Sequence, residues 1–407
     1  MDPCNVVVTG IGILTSLGAD MPSLWQALLD GSNGVRRLRD FNPEISAEGV
    51  SLVAPVVDFD LASLGVTNRS LAGLDFASRM TVYAGLSALK DAGLCWPEDT
   101  GKHNVGAIVG TGNALADRYS ALPLDARNPK WFLETYPNLA LGHLSTIAKL
   151  PGYGSTIVAA CTSGTQAVGT AFHMIQGGKA DVLLAGAVEN KFYAPVFSGF
   201  RRLNMCTPSD DPENAMRPFD RNRSGFVVGK GACFLVLENQ RVAEKRGAWP
   251  RCSVVGYGSS MNARSLTDAN RDGVCRSMAS ALKDAGLSPT MVDYINAHGT
   301  STVSNDREET AAIKELFGKH AYRIPVNSTK SMLGHTFAAC GAIESAVCVA
   351  SLEEQKVHPT RNFSDGGSDC DLDYVKEGWR EANVRYAMNN SSGVGGYNAS
   401  VIFERLD

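Results

Sequence analysis

Cys161 lies in "STIVAACTSGTQAVGTAFHMIQGG", residues 155–178, where a β-branched run meets a helical pattern that stops at Gly177-Gly178. At the first turn of a helix, unpaired backbone N–H groups and the helix dipole favour an anion. A thiol there is able to ionise well below its free value of about 8.5. The same N–H groups are placed to hold a developing oxyanion. Small neighbours, Ala159, Ala160, Ser163 and Gly164, leave room for a tight turn and a close substrate. The other reading is structural: free cysteine is among the most buried residue types, and this stretch alone also fits a core filler.

Two of the seven histidines share one setting. "NAHGTSTVSND" puts His298 at the end of an apolar strand, before small and hydroxyl residues. "NSTKSMLGHTFAACGAIES" puts Lys330 and His335 around a glycine turn that opens a helix, with Glu344 further along it. Carboxyl ends of strands are where α/β sheets bind ligands. His103, His143, His173, His320 and His358 lack this setting and read as structural or surface residues. A metal site is not expected: His298 and His335 are 37 residues apart, with no H-x-x-x-H and no C-x-x-C. The tail "NNSSGVGGYNASVIFE" adds Gly393, Gly395 and Gly396, whose backbone freedom suits a tight turn or a second oxyanion donor.

Something must position these side chains. "NVVVTG", "NVGAIVG", "STIVAA" and "DVLLAG" read as strands apolar on both faces, and "TVYAGLSALKDAGL" and "TQAVGTAFHMIQGG" as helices with glycine stops. Doubly covered strands imply an α/β class. "ALKDAGL" occurs at 88–94 and again at 281–287. Each copy follows a "VVxxG"-like strand and precedes a strand ending in glycine, and a strand-turn-helix then recurs around Cys161 and around His335. Duplication accounts for that order. The expected halves are 1–250, with the cysteine, and 251–407, with both histidines; the first is lengthened between Asn33 and Arg79 and between Asn113 and Leu150.

Composition removes several function classes. A net charge of −4 argues against a basic nucleic-acid face. No basic leader precedes the first apolar run and no stretch approaches a membrane span, so a cytoplasmic, non-inserted protein is expected. Its ten scattered cysteines are expected to be mostly buried and reduced. "TGIGILTSLG" and "VGTGNALAD" begin like a dinucleotide fingerprint, but Thr15 and Leu115 replace its third glycine, so nicotinamide binding is not expected.

Taken in order, "AACTSG", "NAHGTST", "STKSMLGH" and "GVGG", with "RPFDRNRSGFVVGKGA" at 217–232, resemble the elongating β-ketoacyl-acyl carrier protein synthases, the synthase I/II group and close to synthase II. The resemblance spans nearly the whole chain. It implies a thiolase fold, five-layered α-β-α-β-α from two duplicated halves. It implies a decarboxylative Claisen condensation: Cys161 takes an acyl chain, and His298 and His335 promote loss of CO2 from malonyl-acyl carrier protein and hold the enolate. Lys330 and Glu344 match the supporting charge pair. The N–H groups of Cys161 and Val394 match the oxyanion hole. Thr300 and Thr302 match residues against the phosphopantetheine arm, and Ser392 and Val394 are expected at the substrate. No enzyme-bound cofactor is implied, because substrates ride on the carrier protein.

Arg127, Lys130, Arg201 and Arg202 are expected to contact that acidic carrier, and an edge-to-edge homodimer, or a heterodimer with a related subunit, follows by resemblance. The tail departs from "SFGFGGTN": Ser392 and Val394 stand where phenylalanines are common and Tyr397 where threonine is, while Ser224 and Lys230 replace acidic residues. A smaller Val394 weakens the gate over the acyl pocket. The expected role is therefore a specialised fatty-acid or polyketide-type pathway, the alternatives being housekeeping fatty-acid synthesis and a non-condensing partner subunit. A degradative thiolase is disfavoured, since its second cysteine is absent at Ser392-Gly393-Val394.

Overall fold

The computed structural model describes residues 4–41, 50–71, 73–112 and 133–407. Ten strands form one sheet: β1 (Val6–Leu14), β2 (Gly106–Thr111), β3 (Gly154–Ile157), β4 (Val182–Glu189), β5 (Gly231–Asn239), β6 (Cys252–Met261), β7 (Tyr294–Asn296), β8 (Val326–Asn327), β9 (Tyr386–Gly393) and β10 (Tyr397–Arg405). Their spatial order is β8-β7-β9-β10-β6-β1-β5-β4-β2-β3. Read outward from the centre, each half runs first, fifth, fourth, second, third strand. In each, the two pairings nearest the centre, first–fifth and fifth–fourth, are antiparallel, and the second strand is parallel to both its neighbours. The repeat seen in the sequence is thus a repeat of topology. The halves join where Val6, Val7 and Val8 pair antiparallel with Val254, Ser253 and Cys252.

The longer helices used below are α1 (Met21–Leu29), α2 (Phe76–Asp91), α3 (Leu139–Ala148), α4 (Ser163–Gln176), α5 (Ala194–Arg202), α6 (Arg271–Ala285), α7 (Val303–Phe317) and α8 (Cys340–Glu354). Helices α2 and α3 cover the outer face of the first half, and α6 and α7 that of the second. Between the halves lie α4 and α8, packed on each other, with α4 touching strands of both. This gives the alternation of five layers, although the two sheets are continuous through the short β1–β6 junction. Every residue of α8 from Cys340 to Leu352 is buried, as a central layer demands.

Both "ALKDAGL" copies end their helix in the same way. Gly93 and Gly286 each take φ +67°, and Leu94 and Leu287 donate back to Leu89 and Leu282 at 2.9 and 3.0 Å. The strands beneath are matched too. A Cβ on Gly10 of β1 would lie 2.4 Å from the Ala88 carbonyl oxygen, and one on Gly256 of β6 would lie 2.4 Å from that of Ala281. Glycine at these two positions lets helix and strand backbones touch. One expectation fails in detail: of "STIVAA" only Ser155, Thr156 and Ile157 are strand, in the partly buried edge strand β3, with Tyr153 and Val158 exposed on either side. Nothing in this chain pairs with the outer edge of β3 among the described residues.

Candidate active site

Cys161 does not sit on α4 itself. It lies in a single 3-10 turn, Ala160–Thr162, between β3 and α4, behind Ala160 at φ +50°. The turn is tied down locally, since the Ser163 and Thr162 hydroxyls donate to the carbonyls of Ala160 and Ala159 at 2.7 Å each. The second half repeats the device. Phe337 takes φ +44° at the turn before α8. Where the two helix starts cross, a Cβ on Gly164 would meet Ala342 N at 2.6 Å and one on Gly341 would meet Thr165 N at 2.7 Å. This close crossing brings Cys161 and His335 together.

The Cys161 sulfur lies 3.1 Å from His335 Nε2. The Phe337 N–H donates to His335 Nδ1 at 3.3 Å, so the neutral ring carries its proton on Nε2, facing the sulfur. Backbone bonds at 2.7 Å to Val227 O and at 2.8 Å from Gly229 N hold His335 in place. His298 faces the same space, its ring 5.4 Å from that of His335. Its N–H and that of Gly299 donate to the buried Glu309 carboxylate at 2.7 and 2.8 Å. His298 Nδ1 is buried without a hydrogen-bond partner among the described residues. Burial, then the Lys330 ammonium, pushes both imidazoles well below their ordinary pKa, so both are neutral N–H donors at pH 7.

Lys330 and Glu344 form a fully buried ion pair. Burial works against the ammonium, but the Glu344 carboxylate beside it holds it charged, up at about 12. The thiol departs from the sequence expectation. Burial pushes Cys161 up to about 11 despite Lys191, Lys330 and an N–H bond from Val394. Desolvation outweighs the turn's electrostatics, so the resting nucleophile is a thiol.

A cavity of about 550 Å³ opens at this cluster. Cys161, His298 and His335 lie on its floor, and Thr300 and Thr302, hydroxyl to hydroxyl at 2.9 Å, on its wall. The Ser392 hydroxyl donates to Asn398 Oδ1 at 3.0 Å, and Val394, 42 % exposed, stands at the open side. The ligand-type atoms of Cys161, His298 and His335 lie within 4.8 Å of one another, so the wide sequence spacing is no ground against a metal. The geometry supplies another ground. A tetrahedral zinc would spread sulfur and nitrogen to about 3.5 Å, whereas 3.1 Å is a hydrogen-bond distance.

Residues 4–243 match the "Beta-ketoacyl synthase, N-terminal domain" and residues 251–364 the "Beta-ketoacyl synthase, C-terminal domain". The chain belongs to the β-ketoacyl synthase family. It is 36 % identical over 416 residues to 3-oxoacyl-acyl-carrier-protein synthase 2 of Coxiella burnetii, covering 100 % of both chains. Among solved structures, the ishigamide ketosynthase/chain length factor aligns at 31 % identity and a TM-score of 0.90, covering 100 % of each chain. A ketosynthase solved bound to a hexaketide, in complex with its type II PKS acyl-carrier protein, aligns at 30 % identity and a TM-score of 0.89, also over 100 % of each.

Within this synthase, the structure gathers Cys161, His298, His335, Lys330, Glu344, Thr300, Thr302, Ser392 and Val394 around one cavity and its floor. Arg201 and Arg202 lie exposed at the end of α5. Arg127 and Lys130 lie outside the described residues. Sequence reasoning passed over the braces of the synthase site. Glu309 holds the His298 loop. Glu189 and Lys191 pair behind Phe337 at 2.7 Å. Asp306, which accepts from Phe219 N at 2.8 Å, ties "RPFDRNRSGFVVGKGA" to the same loop. Glu189 was within reach of sequence analysis, since it closes an apolar strand at its carboxyl end.

Proposed function

We propose that this chain condenses an acyl group carried on Cys161 with malonyl-acyl carrier protein. The observation that carries the reading is the Cys161–His335 contact at 3.1 Å, with His298 turned to the same space in an open cavity. In the first half-reaction the Cys161 sulfur attacks the acyl thioester carbonyl. The carbon–sulfur bond to the carrier breaks, and the thiol proton leaves with the released phosphopantetheine sulfur. The N–H groups of Cys161 and Val394 hold the tetrahedral oxyanion. In the second, His298 and His335 donate N–H bonds to the malonyl thioester oxygen. The bond to the carboxylate breaks, CO2 departs, and the electron pair becomes an enolate. That carbon attacks acyl-Cys161, a carbon–carbon bond forms, and the sulfur leaves as thiolate. Neutral imidazoles suit the step, because a donor that keeps its proton stabilises the enolate without quenching it.

Lys330 and Glu344 supply fixed charge beneath the floor, and Thr300, Thr302 and Ser392 line the way for the pantetheine arm. The carrier protein is read onto this chain from its relatives, with Arg201 and Arg202, beside Arg127 and Lys130, as its basic contacts. A dimer through β3 is supported by its half-exposed edge. A division near residue 250 is supported by the repeated strand order. No helix among the described residues is long and apolar enough to cross a membrane, and a cytoplasmic site of action fits carrier-bound substrates. The half-exposed Val394 supports a specialised chain over a housekeeping primer.

Incubation with acyl-carrier thioesters followed by peptide mass spectrometry tests the reading. A stable acyl adduct on Cys161, absent in Cys161→Ala, is the expected result. No adduct with any primer overturns it in favour of a non-condensing partner subunit.

A further inference from the structure

We propose that the buried Glu189–Lys191 pair positions and activates the nucleophile couple: Glu189 pins the turn that orients His335, and Lys191 supplies a cation that favours the Cys161 thiolate. This rests on reading Cys161 as the nucleophile. Lys191 Nζ lies 2.7 Å from Glu189 Oε2, with the side chains 12 % and 4 % exposed. The same carboxylate oxygen accepts from Ala338 N at 3.4 Å, while Oε1 accepts from Asn190 N at 3.1 Å. The pinned turn contains Phe337, whose positive φ costs energy that surrounding contacts must offset. Phe337 is the residue whose N–H sets the His335 tautomer. Its ring lies 5.0 Å from the Lys191 ammonium and 4.5 Å from the His335 ring, and is stacked on Phe200. The pocket for the pair is built in: a Cβ on Gly112 would lie 2.0 Å from Glu189 Oε2 and 2.2 Å from Lys191 Nζ.

Among the described residues, His298, His335 and Cys340 surround Cys161, and the charges of Lys330, Lys191 and Glu189 act on its thiol. Lys191 favours ionisation of the thiol and Glu189 opposes it. The two members of the pair therefore make predictions of opposite sign, which a merely structural pair would not. The test is alkylation of Cys161 in the full chain by iodoacetamide, a small neutral probe, between pH 6 and 9.5, read at the Cys161 peptide. Lys191→Met slows alkylation at pH 7.5 by about threefold to tenfold, as removal of a nearby cation should. Lys191→Arg keeps it within about twofold of wild type. Glu189→Gln, nearly isosteric, accelerates it. Should Lys191→Met fail to fold, the acceleration in Glu189→Gln still decides. Shifts of the same sign in both variants, or no shift in either, overturn the proposal. A wild type that shows the alkylation pattern but takes no acyl group leaves this proposal standing and refutes the condensing reading instead.

Discussion

Replacing His335 by alanine removes an N–H donor and leaves the Phe337 N–H with nothing to bond. His298→Ala removes the other donor. Both variants are expected to keep acyl transfer to Cys161 and to lose malonyl decarboxylation by about 10²–10³-fold, as when an oxyanion donor is removed. Measured CO2 release beside the Cys161 adduct separates the two steps, and unchanged release would refute the roles. Val394→Phe should narrow the open side of the cavity and slow transfer of bulky or oxygenated primers more than that of short saturated ones; equal effects on all primers would count against a gating position. His358 makes a different point. It is fully buried, its Nδ1–H donating to Pro359 O at 2.9 Å, and burial lowers it to about 4. Its unfolded value is about 6.5. Between those values the unfolded chain binds the proton and the folded chain does not, so stability falls as pH drops from 6.5 towards 4. At pH 5 this costs on the order of 2 kcal/mol. Denaturant titrations at pH 7 and pH 5 should show a smaller loss for His358→Gln than for wild type. The reactive cysteine and histidines were legible because their side chains carry chemistry and sit at strand ends. Glu309 and Lys191 were not, because only burial against distant segments gives them a task.

At the level of elements, the two copies of "ALKDAGL" announced two equivalent helices, and both close on a left-handed glycine. The strand-helix contact that makes them equivalent is invisible in a single stretch, since it depends on Gly10 lying under Ala88 and Gly256 under Ala281. Gly10→Val and Gly256→Val each force a Cβ into backbone. Each should cost at least about 1–3 kcal/mol, seen as a lower denaturant midpoint with no change in the Cys161 alkylation profile. A change confined to one of them would show that the halves are not mechanically alike. The sequence misjudged β3, whose β-branched residues look buried on both faces while Thr156 and Ile157 are only partly buried. Periodicity cannot separate a strand buried by its own chain from an edge strand that meets something else.

Across the whole molecule, Arg251 ties the halves. It donates to Asp91 at 2.8 and 3.0 Å and to Glu353 at 2.9 and 3.1 Å, joining the ends of α2 and α8 at the β1–β6 junction. The open edge of β3 argues for a second copy or a relative against it. Light scattering should find the wild type a dimer, and Val158→Glu, which places a charge just past the end of that edge, should make it a monomer. A wild type that is already monomeric, or a variant that still dimerises, would remove β3 as the contact.

The repeated turn has a consequence for ancestry. Superposing strand order and helix starts places Ala338, just after the strained Phe337, where Cys161 follows the strained Ala160. Two copies of one unit thus divide a labour: one carries the reactive sulfur, and the other carries a methyl at the matching place and offers its neighbouring imidazoles across the shared helical layer. The asymmetry between Cys161 and Ala338 is what turns a doubled scaffold into a directional catalyst.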